Sequence, residues 1–139
     1  MARAYEQLQR PGDALKLEKE VLASHPDDGK ANSDYGVTLV RQKQYPEGLA
    51  TLEKAVRVGY RSAVTLNFLG TALLATGKQA EAVHAYEEAV RLDPKYAAPL
   101  GNLALLSLRD KHDEEARRYF QRVCQIDASL CRELAPRFP

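Results

Sequence analysis

The sequence contains no tryptophan, three phenylalanines, one methionine and two cysteines. Two cysteines are too few for a disulfide-stapled scaffold, and no histidine lies near Cys124 or Cys131 at zinc-finger spacing. Net charge is nearly absent, because 20 Lys and Arg face 19 Asp and Glu, leaving +1. That excludes a strongly basic nucleic-acid binder or an acidic solvating tail as the character of the whole chain. No apolar run approaches the roughly 20 residues of a membrane-spanning helix. The N-terminus, Met-Ala-Arg-Ala-Tyr-Glu-Gln, has no apolar signal-peptide core. The compartment stays open, with a leaning toward the cytoplasm. Alternating runs of β-branched residues bounded by hairpin turns are also missing, so no strands are expected.

What remains is a chain of 139 residues, long enough for one domain with a core, and rich in Ala, Leu, Glu, Lys and Arg. Apolar spacing predicts helices over 2–9, 13–24, 30–43, 46–57, 63–76, 80–91, 97–109 and 113–126, with a short last one near 130–135. The prolines agree with this division. Pro46 and Pro99 fall in first turns, where the missing amide hydrogen is not needed. Pro11, Pro26 and Pro94 fall between segments, and Gly12 and Gly77 are read as linker residues. Linkers this short force neighbouring helices into antiparallel hairpins.

The chain repeats itself. Tyr35-Gly36-Val37-Thr38-Leu39, Leu69-Gly70-Thr71-Ala72-Leu73 and Leu103-Ala104-Leu105-Leu106-Ser107 stand 34 residues apart. Glu53-Lys54-Ala55-Val56-Arg57 returns as Glu87-Glu88-Ala89-Val90-Arg91 at the same offset, and Tyr86 is in phase with Phe120. Small residues such as Gly36, Gly70, Ala82 and Ala116 let paired helices approach closely. Leu69, Tyr86 and Phe120 fill the space between hairpins. By this phase Gly70 sits at a helix–helix contact and Gln79 faces water.

This pattern resembles the tetratricopeptide repeat, a helix–turn–helix unit of about 34 residues. The copy at 63–96 carries Leu69-Gly70, Leu73, Gly77, Ala82, Tyr86, Ala89 and Leu92-Asp93-Pro94 in the family's order. The copy at 97–130 keeps Leu103-Ala104, Ala116 and Phe120 but has Ile126-Asp127-Ala128 in place of the proline turn. The copy at 29–62 departs with Gly48, Leu52 and Gly59-Tyr60. Residues 1–28 read as a repeat without its opening positions, with Tyr5, Ala14, Val21 and Pro26 in phase. That implies a piece of a longer protein. Residues 131–139 read as a C-terminal cap. The resemblance implies an all-α, right-handed α-solenoid of stacked antiparallel hairpins, with first helices lining a concave side and no chemistry attached to the fold itself.

Candidate chemistry is sparse. Glu81, His84 and Glu88 have the spacing of a metal motif, but no second copy exists to complete it, so a solvated helix face is the expectation. His112 lies among Asp110, Asp113, Glu114 and Glu115, where Asp113 is expected to cap the next helix. His25 lies in a turn. Cys124 and Cys131 stand seven residues apart, a spacing that admits a disulfide. Small buried thiols are the expectation instead. No phosphate loop, Gly-x-Ser-x-Gly elbow or His-Glu-x-x-His motif is present. No catalysis, cofactor, metal, nucleic acid or membrane is therefore expected. Residues 29–62 carry a net +3 and residues 1–28 a net −2, which ordinary solvated faces explain.

The resemblance places partners along the concave face. By phase that face presents Lys30, Ser33, Val37, Val40 and Arg41 in one unit. The next presents Val64, Asn67, Thr71, Leu74 and Ala75, and the third Ala98, Gly101, Leu105, Leu108 and Arg109. Asn67 and Asn102 are the only candidates for the carboxylate clamp of chaperone-binding relatives, and the phased basic residues are missing. The expected function is a protein–protein interaction module that binds a peptide or helix in a partly apolar groove. The alternatives are self-association through the ends of the stack, or an accessory domain of a larger protein.

Overall fold

The structure, a computed structural model, describes residues 11–139. The expected helix over 2–9, and with it Tyr5, lies outside these residues. The described chain is helical: α1 (Pro11–Ser24), α2 (Gly29–Arg41), α3 (Tyr45–Arg57), α4 (Ala63–Ala75), α5 (Gln79–Leu92), α6 (Ala97–Arg109), α7 (Asp113–Ile126) and α8 (Ala128–Leu134), then a 3₁₀ turn at Ala135–Arg137. No strand occurs among the described residues. The pairs α2–α3, α4–α5 and α6–α7 are antiparallel hairpins stacked side by side, an α-solenoid.

Local chemistry sets the helix ends. The Asp28 carboxylate accepts from the Ala31 amide at 2.9 Å, and the Ser62 hydroxyl from the Thr65 amide at 3.0 Å. Each satisfies an amide that the helix leaves without a partner. Inside each hairpin the first helix stops on one residue with positive φ: Lys43 (63°), Gly77 (86°) and Lys111 (63°). The next amide then reaches back five residues, from Gln44 to Leu39, Lys78 to Leu73 and His112 to Ser107, at 2.8–2.9 Å. This is the hydrogen-bond pattern of a left-handed helix stop. Two of the three stops are lysines, and α2 ends at Arg41, two residues before the expected end at 43. Pro11 and Gly12, expected in a linker, belong to α1. Asp113 is the first residue of α7 and not its cap; His112 holds the cap position without a side-chain bond.

Packing follows the period. An added Cβ on Gly36 would lie 2.6 Å from Leu52 Cγ, and one on Gly70 would lie 2.7 Å from Tyr86 Cε1. Glycine is needed at both places because a large side chain from the second helix crosses the first. Gly48 stands where later repeats have Ala82 and Ala116, both fully buried. The Val40 Cγ2 methyl lies 2.8 Å from where a Gly48 Cβ would be, so valine fills the space that alanine fills elsewhere. Leu39, Leu52, Leu66, Tyr86 and Leu100 are at most 1% exposed. Burial of each aliphatic side chain among them contributes about 1.5–3 kcal/mol. Gln79, expected in water, is half-buried and bridges two hairpins: its amide donates to Asp110 Oδ2 at 2.7 Å and accepts from Arg109.

The C-terminal end forms its own small core of Ala97, Leu100, Val123 and Leu134. Asp127 caps α8 through the Leu130 amide at 3.0 Å, so this helix starts at Ala128, before the expected cap boundary. Leu134 and Leu130 lie over Gly101, and the Phe138 ring stacks on Phe120 with centroids 4.5 Å apart. Cys124 and Cys131 form a disulfide between α7 and α8, which corrects the expectation of two thiols. The short turn at Asp127 brings the two Cα atoms to 4.7 Å, within bridging distance.

Candidate partner-binding groove

The first helices α2, α4 and α6 were expected to present one face to a partner. Side-chain burial divides that face in two. Ser33, Asn67 and Gly101, at equivalent positions, are covered. The Ser33 hydroxyl shares a hydrogen bond with Thr65 on α4 at 2.6 Å. Asn67 donates to the Tyr96 hydroxyl at 3.3 Å and accepts from Asn102 on α6 at 3.0 Å. Gly101 receives Leu130 and Leu134 of α8. This register is where the next first helix lands, so these residues join hairpins instead of facing a groove. Val37 and Val40 are also buried, 8% and 4% exposed, within the main core.

The remaining candidates do reach the surface. Lys30 is exposed and pairs with Asp34 one turn on, at 3.0 Å. Val64 is 42% exposed and Ala98 half-buried. The exposed Arg41 guanidinium lies over the Phe68 ring, 5.2 Å from its centroid. Thr71 is half-buried and shares a hydrogen bond with the Tyr86 hydroxyl at 3.0 Å. Burial raises the Tyr86 pKa above the ordinary phenol value, and the Thr71 bond opposes this. Burial likewise raises that of Tyr96, against the Asn67 bond and the Arg41 charge, with Asp93 adding to the rise.

Leu74, Leu105, Leu108 and Arg109 come together. With Asn102, Leu106 and Arg137 they line a notch of about 320 Å³ between α4, α6 and the C-terminal turn. The three leucines are half-buried, whereas their neighbours Leu73 and Leu106 are 4% and 5% exposed. Sequence reasoning missed Arg137, which lies beyond the last repeat and outside its phase. It also missed Phe68, whose position in the repeat is Asp34 in one neighbour and Asn102 in the other.

A second depression on the opposite helices holds Glu53, Arg61, Glu81, His84 and Glu88. Arg61 and Glu88 form an ion pair across it. No group of three His, Cys, Asp or Glu side chains among the described residues is placed to hold a metal ion. No described helix is long and apolar enough to cross a membrane.

Two family models, each described as tetratricopeptide repeat, match residues 27–95 and 69–130. The chain is 34% identical over 97 residues to "TPR repeat-containing thioredoxin TTL4" of Arabidopsis thaliana. That match covers 70% of this chain but 14% of TTL4, so the chain spans about a seventh of that relative. Among solved structures, MamA 41-end from Desulfovibrio magneticus RS-1 superposes with a TM-score of 0.79 at 26% identity, over 93% of this chain and 73% of MamA. PilW, a type IV pilus biogenesis factor, superposes with a TM-score of 0.78 at 20% identity, over 89% of this chain and 58% of PilW.

Proposed function

Because the chain belongs to the tetratricopeptide repeat family, we propose that it is a protein–protein interaction module holding a peptide or helical segment against Leu74, Leu105 and Leu108. The observation that carries this reading is the incomplete burial of three leucines from two helices around one notch. Single part-exposed leucines are ordinary, but a concave apolar cluster with a few convergent polar groups is the usual form of a binding site. The reading involves no catalysis. The notch's polar groups are an amide and two guanidinium groups, with neither a nucleophile nor a base among them.

Selection from a random dodecapeptide library tests it. Wild type should enrich sequences with apolar residues at helical spacing. Leu74→Asp and Leu108→Asp should weaken the selected peptides at least about tenfold, equivalent to 1.4 kcal/mol, with melting temperatures close to wild type. Val40→Asp, at the position equivalent to Leu74 but sealed, should unfold its hairpin. Peptides that bind wild type and both leucine variants equally would place the binding surface elsewhere. Unfolding of both leucine variants would make these side chains core.

A further inference from the structure

Resting on that reading of the notch, we infer that Arg109 and Arg137 form its anion-holding end, and that the occupant carries a carboxylate beside an apolar side chain. The lining is leucine on its floor and arginine at its margin, and no Asp or Glu lines it. Charge of one sign beside apolar surface selects for the opposite sign on the partner. Arg137 has no ion-pair partner among the described residues. Arg109 donates to Gln79, which is itself tied to Asp110. That contact holds the guanidinium in place and uses only part of its five-donor fork.

Three contacts keep Arg137 on a fixed piece of chain. Phe138 stacks on Phe120, Leu134 is buried over Gly101, and the Cys124–Cys131 disulfide ties α8 to α7. The cap thus supplies a side of the site that none of the three full repeats contains. Arg41, in phase with Arg109 two repeats earlier, lies over Phe68. Within the notch, the positive charge comes from Arg109 and Arg137. A carboxylate suits it because guanidinium groups grip carboxylates through two parallel hydrogen bonds.

The test repeats the dodecapeptide selection with Arg109→Gln, Arg137→Gln and the double variant, each first shown to melt with wild type. Wild type should enrich Asp or Glu within one turn of the apolar residues. The double variant should keep the apolar preference and lose the acidic one. A selected peptide should bind wild type at least about tenfold tighter than the double variant at 0.05 M salt, and the difference should shrink at 1 M, where the Debye length is about 3 Å. Its Glu→Gln counterpart should bind both proteins equally. Apolar selection without acidic enrichment would overturn this inference while leaving the interaction module standing. No selection of either kind would overturn both.

Discussion

Gly70→Ala tests the contact that closes the α4–α5 hairpin. The added methyl would lie 2.7 Å from Tyr86 Cε1 and 2.8 Å from Cδ1, where ordinary contact begins at 3.4 Å. The ring must therefore retreat by roughly 0.7 Å, and it is 1% exposed, so it can move only into packed neighbours. Overpacking of this kind costs about 1–3 kcal/mol. Moving the ring also strains the hydroxyl bond to Thr71, worth about 0.5–1.5 kcal/mol. Alanine's better helix propensity returns about 1 kcal/mol. The net loss should be about 1–3 kcal/mol, or roughly 3–10 °C in melting temperature for a chain of this length. Gln121→Leu, on an exposed face of α7, should shift stability by less than about 0.5 kcal/mol. The third hairpin suggests a rescue, because it pairs Ala104 with Phe120 at the same register. In a Tyr86→Phe background, Gly70→Ala should cost at least about 0.5 kcal/mol less, because the ring no longer has a hydroxyl bond to keep. Thermal melts and urea titrations of the four proteins measure the coupling. A Gly70→Ala protein as stable as wild type would refute the close contact.

Alkali and reductant offer two further checks. The pKa values of Tyr86 and Tyr96 are raised in the folded chain, so that state holds their protons longer than the unfolded one. Their contribution is complete below the unfolded value of about 10 and is lost as pH rises from there through the folded values. The part of the phenolate absorbance that Tyr86→Phe and Tyr96→Phe remove should therefore appear together with loss of helical circular dichroism; that part appearing in a fully helical protein would contradict the burial of both rings. Reducing Cys124–Cys131 should remove at most roughly 2–2.5 kcal/mol, the loop-closure value for so short a loop, and should act on the cap. Hydrogen exchange should accelerate in α8 while α4 and α5 stay protected; unchanged exchange in α8 would show that Leu134 and Phe138 alone hold it.

The helices, their order and the hairpin contacts are legible in the amino-acid sequence, because these depend on neighbours close along the chain. Apolar residues at three- and four-residue spacing, small residues at Gly36 and Gly70, and side-chain caps at Asp28 and Ser62 all act within one hairpin or one turn. A period of 34 residues then carries one hairpin's geometry to the next. The division of the first-helix face was not legible in this way. Ser33, Val37 and Asn67 have the same helical spacing as Leu74 and Leu105, and only the angle at which the next hairpin lands decides which are covered. That angle is set by contacts between side chains more than thirty residues apart, such as Asn67 with Asn102. The same holds at the C-terminus, where the turn at Asp127 brings Cys131 to Cys124 and the returning tail brings Arg137 to Leu108. Neither residue belongs to a full repeat, so periodicity carried no information about them, and their positions were decided by the packing of Leu134 and Phe138 on the last hairpin.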